Sequence, residues 1–243
     1  MRTRAVIGAI VAACIVAAIA IQAALMVWLG AWPGAVAGAF TLVFVLVLYR
    51  WAFQPWQHRW GATLTEAQRV MPGDALLPQA SELTRTITRA ISIAATPAQI
   101  WPWLVQLGFG RAGWYSYDWI DNDGQPSADR IIPELQDLAV GDLIPMLPEF
   151  GPRVIEIARD DYLVSDGDGS TWCLALYPMR DGTRLVSRWR AAWRLTPATA
   201  FWLLLSDPGS FIMEQKMLRG IRSRAEAAAR AEPSERPLEL TSA

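Results

Sequence analysis

The sequence predicts an α+β protein, in which a curved antiparallel sheet wraps around one long C-terminal helix behind a hairpin of two transmembrane helices. Three observations predict it. No charged residue occurs between Ala5 and Tyr49. After Asp121, four alternating runs follow one another, with turns between them. An apolar stripe at spacings of three and four then runs from Phe211 to Ala228. At 243 residues, 53% apolar and 19% charged, the composition lies above soluble-protein norms for hydrophobicity and far from disorder.

The charge-free stretch holds two spans. Ala5 to Trp28 and Ala35 to Phe53 would make helices of about 36 and 28 Å, against a hydrocarbon core of about 30 Å. Gly30-Ala31-Trp32-Pro33-Gly34 reads as the tight turn between them. Trp28 and Trp32 at the turn, and Tyr49, Trp51, Trp56 and Trp60 at the other edge, form interfacial belts. Residues 1–60 are therefore expected to be a transmembrane hairpin with spans at 5–28 and 35–53. Its arginines, Arg2, Arg4, Arg50 and Arg59, all lie away from the turn, which by the positive-inside rule places both termini and the folded domain in the cytoplasm. The expectation is a multi-pass protein of the inner (cytoplasmic) membrane. A cleaved signal peptide fits less well, because its apolar region spans only about 7 to 15 residues and no second span follows at once.

Residues 61–243 carry the other 18 basic groups and all 23 acids, a net of −5. A nucleic-acid partner is not expected from such a domain. Cys14 and Cys173 sit in unrelated surroundings, so no disulfide framework arises and a reducing compartment fits. His58, the one histidine, rules out His-rich zinc sites and reads as an interfacial residue.

Residues 61–83, with Pro72-Gly73-Asp74 and Pro78, read as a linker without strong periodicity. Thr84 to Ile93 alternates as a half-buried strand, with Ile87, Ile91 and Ile93 on one face. Thr96-Pro97 caps a short helix that Gly108 ends, and a second short helix covers Ser116 to Ile120. Strand patterns follow, weak at Asp142 to Leu147 and strong at Arg153 to Ala158, Leu163 to Ser165, Thr171 to Tyr177 and Thr183 to Trp193. In the last, Leu185, Ser187, Trp189, Ala191 and Trp193 share the inward face, and Arg184, Arg188, Arg190 and Arg194 the outward one. Helix then runs from Ala198 to Leu205 and, past a break at Asp207-Pro208, from Gly209 to Arg230. The domain spans 84–230, and residues 231–243 are a flexible tail.

Two motifs fail their chemistry. Gly108-Phe109-Gly110-Arg111-Ala112-Gly113 matches a dinucleotide fingerprint in spacing, but a helix rather than a strand precedes it. Aligning Gly124 with the glycine of a calcium loop puts Trp119 where a carboxylate is required, and Asp166-Gly167-Asp168-Gly169-Ser170 lacks that glycine. No cofactor and no metal are expected. Trp114-Tyr115-Ser116-Tyr117-Asp118-Trp119 gathers aromatics around one acid near Arg111, which suits a pocket mouth and equally a packed structural role. Glu214, an acid on the apolar stripe, needs a partner such as Arg130 or Arg188, or serves as a polar anchor in a cavity. Phe201 to Leu205 is apolar enough for a membrane-dipping lip, a cavity gate or core packing.

The element order resembles the helix-grip fold of the SRPBCC superfamily, which includes START lipid-transfer domains, birch-pollen-allergen-like proteins and polyketide cyclases. Ala94-Ala95-Thr96-Pro97-Ala98-Gln99-Ile100-Trp101-Pro102-Trp103-Leu104 looks like that family's opening helix. The segments Gly110 to Trp119, Asp129 to Gln136 and Phe211 to Leu218 resemble a bacterial membrane-anchored branch. The resemblance covers about residues 62–228. A curved sheet wrapped on a helix leaves a cavity between them, and the tryptophan-rich inner face together with the anchor predicts that it binds a hydrophobic small molecule, a lipid or isoprenoid-like, with membrane lipids as the other partner. Arg111, Trp114, Tyr115, Tyr117, Asp118, Trp189, Trp193, Phe211, Glu214 and Leu218 are the candidate ligand-binding residues. The alternatives are a cyclase- or dehydratase-type enzyme drawing acid-base help from Arg111, Tyr115, Tyr117 or Asp118, and a membrane-tethered interaction module.

Overall fold

The computed structural model describes residues 2–77, 83–167, 169–193 and 196–231. The expected tail lies outside the described residues beyond Ala231, as do the side chains of Trp193 and of residues 201–205. Helix α1 (Arg2–Leu29) and helix α2 (Ala31–Leu48) meet at Gly30 alone, whose φ of 89° only glycine adopts freely. The expected five-residue turn is thus one residue long. Pro33 falls in the first turn of α2, where its missing N–H costs no hydrogen bond. The two helices touch over Gly34 and Gly38, both buried. A Cβ on Gly34 would lie 2.4 Å from the Met26 Cα, and one on Gly38 would lie 1.7 Å from the Gln22 Oε1. Small residues four apart allow backbones to approach this closely, and the Gln22 amide donates to the Gly34 carbonyl at 3.2 Å.

Helix α2 does not stop at its expected end. It passes through a π-helical turn (Tyr49–Phe53) into α3 (Gln54–His58). Pro55 accounts for the turn, since it has no N–H to give the ladder and its ring crowds the carbonyl four residues back. Ala12–Leu29 and Ala31–His58 are both long and apolar enough to cross a membrane.

Five strands form one antiparallel sheet in the order β1-β5-β4-β3-β2, from β1 (Leu83–Ile93), β2 (Arg153–Ala158), β3 (Tyr162–Gly167), β4 (Ser170–Met179) and β5 (Gly182–Trp193). The weak pattern at Asp142 to Leu147 gives only isolated bridges, because Pro145 interrupts it. Helix α5 (Pro97–Val105) opens with a complete capping box from Thr96 and Gln99, and α6 (Asp118–Asp121) is a single turn.

The inward face of the sheet, including Ile91, Leu174 and Leu185, packs against Ile100 and Leu104 of α5 and Leu218 and Ile221 of the C-terminal helix α7 (Pro197–Ala231). Helix α7 is continuous, with Pro208 inside it. The expected break fails because Asp207 and Phe211, on either side of the proline, are both buried against neighbours, which offsets the cost of about 3 kcal/mol for an internal proline. This is the α+β helix-grip arrangement.

Residues 61–77 are a clasp on the outward face of the sheet. They contain a fourth helix, α4 (Leu64–Gln68), with its own capping box from Thr63 and Glu66. Arg188, only 3% exposed, uses all five of its N–H groups, four of them on this segment. It donates to the Thr88 hydroxyl, the Asp74 carboxylate and the backbone carbonyls of Arg69, Glu66 and Ala67. Arg184 clamps Glu66 through two nitrogens at 2.7 and 2.9 Å, which holds that carboxyl down at about 2. Arginines at alternate positions of β5 thus fasten this segment, a signal that its own sequence lacks.

Candidate functional site

Helix α7 runs beside β1 in the same direction. Asp207 meets Arg85 at 3.2 Å, Glu214 meets Arg89, and Glu226 accepts the Ala94 N–H at 3.1 Å. The start of β1 and the end of β5 therefore lie at the hairpin end of the sheet, and Ile93 and Thr183 at the far end.

The inward face changes character between these ends. At the far end it is filled: Ile93, Leu174, Leu185, Leu218 and Ile221 are each 1% exposed or less. At the hairpin end, Trp172 and Trp189 stand directly opposite each other on β4 and β5, and both stay half-buried. Between the two zones lies a polar patch. The Trp172 Nε1 donates to the Ser187 Oγ at 2.9 Å, the Ser187 hydroxyl donates to Glu214 at 2.5 Å, and Arg89 pairs with the same carboxylate. Arg89 is 1% exposed. Its Nε donates to the Gln57 carbonyl at 2.9 Å and its guanidinium lies over the Phe211 ring, while its Nη2 is buried without a partner.

The predicted residues separate into three groups. Trp114, Trp189, Glu214 and Leu218 are on the inward side, with the Trp114 ring tilted against Trp172 at 5.8 Å between centroids. The expected partners of Glu214 are corrected: Arg188 is on the outward face holding Asp74, and Arg89 takes the role. Phe211 belongs to an aromatic joint with Phe53, Trp56 and Trp60, which docks α3 on α7. Of Trp193 the structure describes only its place at the end of β5.

The Arg111 to Asp118 segment is mainly structural. Tyr115 is 2% exposed, accepts from the Gln106 amide at 2.7 Å and donates to the Trp103 carbonyl, and burial pushes its phenol up to about 12. Arg111 donates to the Val105 and Leu135 carbonyls. Asp118 accepts from the Ser127 N–H and hydroxyl at 3.0 and 2.5 Å. Tyr117 is half-buried at the start of α6, its ring facing Trp119 and Lys216. Acid-base groups at Tyr115, Asp118 and Arg111 are each held by their own neighbours rather than converging on one point. The glycines Gly108 and Gly113 bridge one another in a tight loop, and a Cβ on Gly113 would lie 2.3 Å from the Ser127 Oγ, so the fingerprint spacing serves a turn.

Sequence reasoning missed Arg89, Ser187 and Trp172. The signal was present for Arg89: it occupies an inward position of β1 between Ile87 and Ile91, where a charge must find a partner. His58 was read as interfacial, but its ring is 3.0 Å from the Asp207 carboxylate. Tyr49 and Gln54 also donate to Asp207, at 3.0 and 2.7 Å.

No family model matches the chain, and no curated protein matches it significantly. Solved structures that resemble it include a protein from Staphylococcus saprophyticus, 9% identical over 60% of this chain and 94% of that one, with a TM-score of 0.38. The di-domain ARO/CYC StfQ from the steffimycin biosynthetic pathway is 15% identical over 60% of this chain and 52% of that one, with a TM-score of 0.36. An AHSA1-like protein from Aeromonas hydrophila is 18% identical over 59% of this chain and 94% of that one, with a TM-score of 0.33. The fold assignment rests on the sheet order and helix of this chain itself.

Asp121 of α6, 5% exposed, gives a pH prediction. Neither carboxylate oxygen makes a hydrogen bond of ordinary geometry, although the Ser116 hydroxyl and the Tyr117 backbone lean toward it; burial and the nearby Asp118 push its carboxyl up to about 6 from 3.8. An acid raised in the folded state costs stability as pH rises from about 4 through 6. Asp121→Asn is expected to raise stability at pH 7 by roughly 1 to 2 kcal/mol after solvent screening, and to leave it unchanged at pH 3. Urea midpoints of the full chain in detergent at the two pH values measure this.

Proposed function

We propose that this chain is a membrane-anchored protein that binds a hydrophobic molecule, lipid or isoprenoid-like, at the hairpin end of the sheet–helix interior. The observation that carries the reading is the facing pair Trp172 and Trp189, which stays half-buried while Ile91, Leu174, Leu185, Leu218 and Ile221 of the same interior are buried. Two indoles give wide apolar contact, and the patch of Glu214, Ser187 and Arg89 behind them offers hydrogen bonds to a polar end. The unpartnered Arg89 Nη2 favours an acceptor there, because a buried guanidinium N–H without one costs free energy. Resemblance to the SRPBCC superfamily supports the same reading.

The anchor is the hairpin, and α7 brings the opening to it. From Asp207 back to Pro197 the α7 backbone continues ten residues toward the hairpin side, about 15 Å at helical rise.

Full-length protein in detergent is expected to retain an apolar molecule at one per chain through detergent exchange, as read by native mass spectrometry. Trp172→Ala combined with Trp189→Ala should weaken retention about tenfold or more. Equal retention by the double variant would remove the interior as the site.

The same reading puts both termini and the domain in the cytoplasm, and what supports it is that Arg2, Arg4, Arg50 and Arg59 all lie away from the turn. A C-terminal fluorescent protein that folds only in the cytoplasm is expected to glow, and a C-terminal alkaline phosphatase to be inactive. The reverse pair of results would put the domain outside.

A further inference from the structure

A cleft of about 620 Å³ lies on the flank of the domain, between α7 and the outer edge of β1, with Trp60 at its base. It is separate from the interior and does not depend on the apolar-ligand reading. Three arginines face it, Arg184, Arg219 and Arg222, against one acid, Glu226. The acid is already engaged, since Glu226 accepts from the Arg222 Nε at 3.0 Å and from the Ala94 N–H at 3.1 Å. Arg184 is held by Glu66 behind the wall, and its Nη1 reaches the Ser92 hydroxyl at 3.1 Å.

Arg219 is different. It is exposed, its guanidinium lies over the Trp60 ring at 5.3 Å, and among the described residues no carboxylate pairs with it. Stacking on the indole restrains the fork, and Arg222 lines the same cleft one helical turn along α7. A net positive, concave site with one pre-oriented guanidinium fits an oxyanion.

We propose that this cleft is a second binding site, for a soluble small molecule bearing a phosphate group, held by Arg219 and Arg222. Its position argues for a soluble source. Trp60, two residues past α3, lines its near side, while Glu226 on its far side accepts the Ala94 N–H, nine residues along the chain from Arg85, which meets Asp207; at strand rise this is about 30 Å from the hairpin end.

The test uses the full chain in nanodiscs of phosphatidylcholine, titrated with inorganic phosphate at constant ionic strength and followed by calorimetry. Saturable millimolar binding is expected, weakened about tenfold in Arg219→Gln. Arg159→Gln, at an arginine 85% exposed elsewhere, should bind as the unaltered chain does. Far-ultraviolet dichroism should be unchanged in both variants, because both residues are exposed. No saturable binding, or equal binding by Arg219→Gln, overturns the site. A second arm replaces part of the phosphatidylcholine with phosphatidic acid. Unchanged phosphate binding supports a soluble ligand, whereas its loss would assign the cleft to membrane headgroups and overturn the soluble source.

Discussion

The buried carboxylate of Asp207 is the interaction on which the rest of the structure depends. Burial alone would push it up, yet hydrogen bonds from His58 and Gln54 and the charge of Arg85 bring it down to about 2. Its contribution to stability is therefore present above the ordinary carboxylate value of 3.8 and is lost as pH falls toward 2. The donors come from two elements, the end of the second hairpin helix and β1, and meet on a carboxylate that α7 carries. The π turn makes this convergence possible. Tyr49, Gln54 and His58 are spaced by five and then four, so the one extra residue of the turn brings all three to the same side of the helix.

From that carboxylate a chain of polar contacts leads into the domain. Tyr49 accepts from the Gln57 amide, the Gln57 carbonyl accepts from Arg89, and Arg89 pairs with Glu214, which holds Ser187 and through it Trp172. Hairpin and domain are thus one folded unit rather than an anchor on a tether. On the inward face the half-buried pair Trp172 and Trp189 lies on the side nearest the hairpin.

The strands and the spans were legible because alternation and charge-free length are local signals. The alternation of β5 correctly put Ser187 and Trp189 inward and Arg184 and Arg188 outward. The single-residue turn at Gly30 and the continuity of α7 through Pro208 were not legible, since both are decided by contacts with distant residues. Asp207-Pro208 in particular reads as a helix stop, and only Tyr49, Gln54, His58 and Arg85 make it a helix interior. Much of the Arg111 to Asp118 cluster carried the right composition for a pocket but the wrong geometry, because Gln106, Trp103 and Ser127 claim its polar groups. The interior patch was half legible: Glu214 stood out on its stripe, while Arg89 was overlooked among isoleucines.

Hydrogen exchange of the full chain in nanodiscs, with and without Asp207→Asn, tests the unity of hairpin and domain most directly. The substitution keeps the size of the side chain but removes its charge and replaces one acceptor oxygen by an NH2 donor, so His58, Gln54, Tyr49 and Arg85 lose their common carboxylate. Faster exchange is predicted over residues 50–58 and the first half of α7, with the protection of β3 and β4 unchanged. Unaltered protection over residues 50–58 would contradict the account and leave the hairpin as a tether.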